Sequence, residues 1–248
     1  MKRVGLVGLL VAGIVFASPR AELRILSVGS IDPGLTRNAE QFQKQSSHHS
    51  TIQVDTAPGL TRRLAAGETA DVLIAPPNVL DDATKEGKLV AGTRMAVARV
   101  GVGVAMRKGA TAPDVKTADS LKQALERSQS VVFNEGSSGL YLEKLFEQMG
   151  IGERMKPKTT RYPNGGQVAQ HVVNGKGDEI GFLPISYIKS NEAMGLQYVG
   201  PLPGATQNYT SYEAAVMSSS KAQDAAKDLI RYLTTAAAKQ IFAATGVD

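Results

Sequence analysis

The sequence predicts an α/β protein of two lobes, each a mostly parallel sheet flanked by helices, joined by two hinge strands. Two observations predict this class. From residue 23 onward, short β-rich runs alternate with helical patterns, which is typical of parallel sheets covered by helices. A glycine-rich strand at 100–106 and a late strand at 212–217 also bracket a central α/β block of the size of a small domain. One continuous sheet is the alternative.

The chain is predicted to cross to a second lobe and return, because these two strands stand at either end of the central block. Lobe 1 is predicted at 23–100 together with 205–248, and lobe 2 at 101–204. The individual strands are predicted from short runs rich in Val, Ile, Leu, Thr and Tyr. In chain order they lie at 23–28, 52–56, 71–75, 100–106, 130–134, 159–162, 179–183, 196–199 and 212–217.

Helical patterns fill the intervals between these strands. The first helix is predicted to follow Asp32 as N-cap, with Pro33 at its first position. In the stretch 134–150, apolar residues recur at helical spacing and Gly150 supplies the C-terminal stop. The helix capped by Asp32 is predicted at 33–45. Other helices are predicted at 59–66, 79–86, 117–128, after the Asn164-Gly165-Gly166 turn, and as a pair at the C-terminus.

The N-terminus has the order of a secretory signal. Lys2 and Arg3 precede an apolar and glycine run that ends in small residues at 15 and 17. We predict a signal peptide at 1–17, with cleavage after residue 17 or as late as residue 21, and a soluble periplasmic protein. The alternative is a permanent anchor, but the run is short for a spanning helix.

Composition excludes several classes of function. The chain has no Cys, so disulfides and thiolate metal sites are absent, and its three His lack a carboxylate at ligand spacing; no metal is predicted. No Walker A, Rossmann or G-x-S-x-G pattern occurs, so no cofactor and no nucleophile elbow are predicted. The net charge of +5 falls to +3 after cleavage, leaving 26 basic against 23 acidic residues. The basic residues are scattered and Trp is absent, which disfavours nucleic acid and suits a small anion.

The candidate binding residues lie at the junctions between predicted strands and the helices that follow them. A helix start exposes unpaired N–H groups and the positive end of the helix dipole, so it can hold an anion. In open α/β sheets, ligands lie beyond the carboxyl ends of the strands. Each position taken alone is also an ordinary N-cap. The predicted ligand-binding residues at such starts are Ser30, Thr56, Ser137, Ser138 and Gly166.

Charged residues offer fewer candidates. Arg62 and Arg63 could pair with a ligand carboxylate or form a solvated helix face, and adjacent helical positions point apart. Glu135 is the one carboxylate beside the paired serines. As a general base it would need a shifted pKa.

Three segments resemble the extracytoplasmic solute-binding proteins of type II topology, in particular the molybdate-binding family of ABC importers. They are the helix–strand–helix segment at 60–90, the Gly-x-Tyr helix at 136–151 and the C-terminal helix pair at 225–246. By this resemblance, the family's oxyanion contacts fall on Ser30, Ser138 and Gly166. Two further contacts fall on Ala57 and Pro184, which lack the family's hydroxyls.

The resemblance implies a monomer that captures a small anion, a molybdate-like oxyanion or a small carboxylate, and passes it to an ABC permease. The sequence is also similar to a branch that includes periplasmic aconitate isomerases. For that alternative the acid–base candidates are Glu135, Tyr141 and His171, and whether the protein is an enzyme stays open. Because Ala57 and Pro184 remove two donors, we expect a di- or tricarboxylate to bind more tightly than molybdate.

Overall fold

The computed structural model describes residues 20–248. The predicted signal peptide at 1–17 lies outside the described residues and stays a prediction. The strands, in chain order, are β1 (Glu22–Val28), β2 (His49–Asp55), β3 (Val72–Ala75), β4 (Met95–Arg107), β5 (Ser130–Asn134), β6 (Thr159–Tyr162), β7 (Glu179–Pro184), β8 (Leu196–Pro201) and β9 (Tyr209–Val216).

The helices alternate with these strands through most of the chain. They are α1 (Asp32–Ser46), α2 (Ala57–Ala65), α3 (Pro77–Lys85), α4 (Ala118–Arg127), α5 (Ser137–Gln148), α6 (Gly152–Met155), α7 (Gly165–Asn174), α8 (Ile185–Ser190), α9 (Gln223–Leu233) and α10 (Ala236–Ala243). Among residues 20–248, none of the helices combines the length and the hydropathy of a membrane-spanning segment.

Strand β4 connects two groups of strands. Its first part, Met95–Gly101, pairs antiparallel with β9, which continues through β3 and β1 to β2. Its second part, Val102–Arg107, pairs antiparallel with β7 and β8, and β7 continues through β5 to β6. The outer pairs β1–β2, β1–β3, β5–β6 and β5–β7 are all parallel. The long strand therefore crosses from one parallel group to the other.

Apolar side chains pack into separate cores on the two sides of this crossing. One core takes its residues from Leu23–Val100 and Tyr212–Val247. The other side has two clusters within Val102–Leu202: α4 and α5 cover one face of the strands, and α7 and α8 cover the opposite face. We use lobe 1 for the elements of the first core and lobe 2 for those of the other two. The exact lobe boundaries remain a prediction.

The chain crosses between the lobes a second time just before β9, and a side chain holds this crossing. Gln207 Oε1 accepts from the Val102 N–H at 2.9 Å, and its Nε2 donates to the Val102 carbonyl at 3.0 Å. The amide of Gln207 thus pairs with β4 as a neighbouring strand would. Gly101 leaves room for it, since an added Cβ would lie 3.1 Å from the Gln207 amide carbon.

Two local predictions were wrong. Asp32 is the first helical residue rather than the N-cap, and Ile31 occupies the cap position without a side-chain hydrogen bond. The polar sequence around His48 and His49 predicts an exposed loop, yet His48 is buried against Phe42, and its Nδ1 accepts from the Ala21 N–H at 3.1 Å. The pairing of β2 with β1 draws this segment into the sheet.

Candidate functional site

The carboxyl ends of the two parallel groups face one another. Ser30 follows β1 in lobe 1, and Ser186 lies in the first turn of α8, directly after β7 in lobe 2. The Ser186 hydroxyl donates a hydrogen bond to the Ser30 carbonyl. Because parallel strands end at a common edge, this contact brings the carboxyl edge of lobe 1 against that of lobe 2. A crevice at such an edge is where open α/β folds bind ligands.

Helix α5 contributes an uncapped start to the lobe 2 side of this crevice. Its N-cap is Gly136, without a side-chain cap, and its first turn has no acidic residue. The first-turn amides, which include those of Ser137 and Ser138, therefore lack a capping side chain. The Asn134 side chain fixes the turn, since its Oδ1 accepts from the Gly136 N–H at 2.9 Å and from the Ser138 hydroxyl at 3.4 Å.

Helix α7 contributes the second start. The Asn164 side chain accepts from the Gln167 N–H at 3.1 Å. The N–H groups of Gly165 and Gly166, which precede Gln167 in the first turn, do not take part in this cap. The Tyr187 hydroxyl stands beside this turn, 3.6 Å from where a Cβ on Gly166 would lie. Burial raises the pKa of Tyr187, so its hydroxyl stays protonated as a donor at neutral pH. Sequence reasoning missed Tyr187, although it follows Pro184 by three residues.

On the lobe 1 side, Ser30 has a buried tyrosine as neighbour. Tyr212, on β9, is only 5% exposed. Burial raises the pKa of Tyr212, and hydrogen bonding with Ser30 and Thr210 partly opposes that shift. The contact joins residues far apart in the chain, so no local pattern indicated it.

The start of α2 differs from the starts of α5 and α7, because the side-chain carboxylate of Asp55 lies against it. Thr56 caps the Gly59 N–H at 3.2 Å, and Asp55 Oδ1 accepts from the Thr56 N–H at 2.7 Å. An added Cβ on Gly59 would lie 1.9 Å from Asp55 Oδ1, so only glycine leaves space for the carboxylate. Thr56 is therefore engaged in capping, and Asp55 was missed from the sequence.

Arg161, like Arg62 and Arg63, could pair with a ligand carboxylate, but two of these three arginines are already paired with carboxylates of the chain. Arg63 Nε donates to Glu68 at 2.5 Å, and this hydrogen bond is the main reason that the pKa of Arg63 is raised. Arg161 donates to Glu143 at 2.6 Å. Arg62 is exposed, and no ion pair within residues 20–248 includes it.

The three acid–base candidates are not brought together. Glu135 is exposed beside the start of α5. The Tyr141 hydroxyl donates to the Thr206 carbonyl at 2.7 Å, and burial raises its pKa. His171 contacts Tyr162 through Nδ1 at 2.9 Å and Ser130 through Nε2 at 3.2 Å. His171 thus bridges the first residue of β5 and the last residue of β6, and both of its ring nitrogens are engaged.

Two further cavities, both partly open to solvent, lie in the part of lobe 2 that the structure describes. One, of about 310 Å³, is beside α4 and includes Pro113, Gln123 and Asp178. The other, of about 410 Å³, is between α5, α6 and β6 and includes Phe146 and Met155. Neither is lined by Ser30, Ser138 or Gly166. The crevice is thus distinct from both.

Two lobes with helix starts across a crevice define the type II fold of periplasmic binding proteins, as the sequence predicted. The periplasmic molybdate-binding protein of Azotobacter vinelandii has this fold: its TM-score is 0.74 at 16% identity, over 91% of this chain and 98% of that one. Residues 23–248 match the model of the bacterial extracellular solute-binding proteins, and the chain belongs to this family.

Two relatives bear on function. The chain is 30% identical to an aconitate isomerase of a Pseudomonas species over 228 residues, which is 90% of this chain and 86% of the relative. It is 24% identical to the molybdate-binding protein ModA of Azotobacter vinelandii over 231 residues, 93% of this chain and 91% of that protein. The predicted resemblance to molybdate-binding proteins and to the isomerase branch is confirmed.

Proposed function

We propose that this protein captures a small anion, a di- or tricarboxylate in preference to a tetrahedral oxyanion, in the crevice between its lobes, for import by an ABC permease. The observation that carries the proposal is the Ser186–Ser30 hydrogen bond, which sets the helix starts of lobe 2 opposite the strand ends of lobe 1. Family membership supports the class of protein. We place the mature protein in the periplasm as a monomer.

The lobe 2 side supplies neutral donors for the anion. The amides that open α5, which include that of Ser138, and those that open α7 carry partial positive charge from the helix dipoles, and the Tyr187 hydroxyl adds a donor beside them. Such donors stabilise a carboxylate without a fixed counter-charge. Ser30 and Thr56 belong to the lobe 1 side, and Arg62 can approach from the rim because it is exposed.

Capture requires the lobes to close on the ligand. The two crossings at β4 and before β9 are the connections that would bend, and hinge closure of this kind is common in binding proteins. A permease would then distinguish the closed, loaded form from the empty form. Ligand that binds only the folded, closed protein also stabilises it by mass action.

The alternative function is isomerisation of a small unsaturated polycarboxylate in the same crevice. The observation that favours this alternative is the 30% identity to an aconitate isomerase. Moving a double bond within such an acid requires a base that removes a proton from one carbon and an acid that returns one to another. Glu135 is the candidate nearest the α5 start. Tyr141 and His171 are each held by hydrogen bonds to other parts of lobe 2 or the crossing segment.

Thermal-shift and calorimetric titration of the mature protein with molybdate, sulfate, citrate and cis- and trans-aconitate tests the proposal. We expect a carboxylate to raise the melting temperature more than molybdate does. Tight binding of molybdate, with no binding of any carboxylate, would contradict the proposed preference for carboxylates over tetrahedral oxyanions. NMR of trans-aconitate incubated with the protein separates the alternatives, since only an isomerase produces cis-aconitate. Loss of that turnover in Glu135→Gln or His171→Ala would identify the residue involved.

A further inference from the structure

The helix starts on the two sides of the crevice hold carboxylates differently. On lobe 1, two of the three helices that follow β1, β2 and β3 have a carboxylate at their start: Asp32 lies in the first turn of α1 and Asp55 lies against the first turn of α2, whereas the first turn of α3 has no acidic residue. On lobe 2, the first turns of α5 and α7 contain no acidic residue, and Glu135, which precedes the N-cap of α5, is exposed. An anion therefore finds no carboxylate in the first turns of α5 and α7, whereas a carboxylate is fixed against the start of α2.

The carboxylate of Asp55 is built into its position. It accepts from the Thr56 N–H at 2.7 Å, and the missing side chain of Gly59 makes the space that it fills. It thus occupies the place at the α2 start where a bound anion would otherwise interact with the dipole. Arg63 approaches it only to 3.9 Å and is engaged more closely with Glu68.

Asp55 also lies on the edge that faces lobe 2. It is the last residue of β2 and stands in register with Val28 of β1. Ser30, whose carbonyl accepts from Ser186 of lobe 2, follows Val28 by two residues. The carboxylate is therefore one strand away from the point where the two lobes touch.

We propose that Asp55 determines the specificity of this site: it disfavours fully ionised tetrahedral oxyanions and selects a carboxylate ligand that turns a hydroxyl group toward lobe 1. The inference rests on the proposed function and names the ligand class within it. Molybdate offers only acceptor oxygens, so it has no donor for Asp55 and is repelled by it. A hydroxy acid can place its carboxylates on the α5 and α7 starts and donate its hydroxyl to Asp55 in a charge-assisted bond.

The test compares three probes, molybdate, citrate and tricarballylate, by calorimetry on wild type, Asp55→Asn and Asp224→Asn. Citrate and tricarballylate carry the same three carboxylates and differ only in the hydroxyl. Asn keeps an acceptor for the Thr56 N–H, so the variant retains the cap. Asp224→Asn changes the net charge equally at an exposed position on α9, where Asp224 pairs with Lys227.

Wild type is expected to bind citrate about tenfold more tightly than tricarballylate, and Asp55→Asn to lose that preference while binding molybdate about tenfold more tightly. Asp224→Asn should match wild type. An unchanged molybdate affinity and citrate preference in Asp55→Asn would overturn this inference and leave the proposed function standing. If Asp55→Asn does not fold, wild type alone decides, because equal or tighter binding of tricarballylate contradicts the inference. Binding of none of the three anions would overturn both.

Discussion

At the residue scale, Gly139 is the position where the start of α5 depends most on the absence of a side chain. A Cβ on Gly139 would lie 1.9 Å from the carbonyl oxygen of Asn134, a backbone atom that cannot rotate away. The same Asn134 fixes the turn through its side chain. The glycine therefore allows the strand end and the helix start to approach closely enough to present the first-turn amides.

Gly139→Ala is expected to lower the free energy of unfolding by about 1–3 kcal/mol, because the overlap forces the backbone apart. It should also weaken anion binding, since the α5 amides move with the turn. Chemical denaturation measures the first effect and calorimetry the second. Gly204→Ala is the control: a Cβ there meets nothing within 4 Å. Equal stability of the two variants would contradict this account of the turn.

Glu179 is a second residue whose role follows from its contacts. It is buried at the start of β7 and accepts from the N–H groups of Lys176 at 2.8 Å and Gly177 at 2.7 Å. Burial acts to raise its pKa, but these hydrogen bonds, together with the charge of His171, bring the pKa below its ordinary value. The ionised form is thus favoured in the folded state.

Because the folded pKa is lowered, the contribution of Glu179 to stability is present above the unfolded pKa, about 4.3. It is lost as the pH falls through the folded pKa. Glu179→Gln should therefore lower the free energy of unfolding by about 1 kcal/mol at neutral pH. Melting temperatures measured across pH should show this deficit shrinking in acid. Glu153→Gln, at an exposed position on α6, serves as the control, and a deficit that persists unchanged in acid would contradict the prediction.

At the element scale, helix α8 links the two lobes and also carries a donor into the crevice. Ser186 contacts Ser30 of lobe 1, while Tyr187, the next residue, places its hydroxyl near Gly166 at the start of α7. Pro184 stands where the resemblance implies a ligand-binding tyrosine. Tyr187, in the helix that follows Pro184, thus supplies a hydroxyl close to the position of that tyrosine.

Tyr187→Phe is expected to weaken binding of the preferred carboxylate by about tenfold to a hundredfold, as for loss of a hydrogen bond to a charged group. The melting temperature of the free protein should change little, because the ring remains. Calorimetry measures the affinity. Tyr198→Phe is the matched control, since Tyr198 is another half-buried tyrosine of lobe 2 and packs against Gly103. If Tyr187→Phe and Tyr198→Phe bind the carboxylate with equal affinity, Tyr187 does not contribute to the binding site.

The sequence predicted most elements because their signals are local. The β-branched runs and the capping residues Thr56 and Asn164 lie in the elements that they specify. Strand β4 proved longer than predicted, since pairing with β9 extends it beyond the glycine-rich part. The site was predictable only in part. The positions of Tyr187 and Tyr212 depend on contacts between distant segments, which no spacing in the chain encodes.

At the scale of the whole molecule, the central claim is that the ligand binds between the lobes, at the helix starts. The cavities beside α4 and beside α6 are the competing locations, since the residues that line each of them belong to lobe 2. Closure on a ligand would protect backbone amides of both lobes from hydrogen exchange at the same time. A ligand in either cavity would shield lobe 2 alone.

Hydrogen exchange of the mature protein, with and without the carboxylate that gives the largest thermal shift, tests this claim most directly. The account predicts that the ligand slows exchange in peptides covering 28–35, 134–140 and 163–168, which include Ser30 and the starts of α5 and α7. Slower exchange confined to peptides at 111–128 or 143–161, with none at the helix starts, would place the ligand in a cavity of lobe 2 and contradict the account.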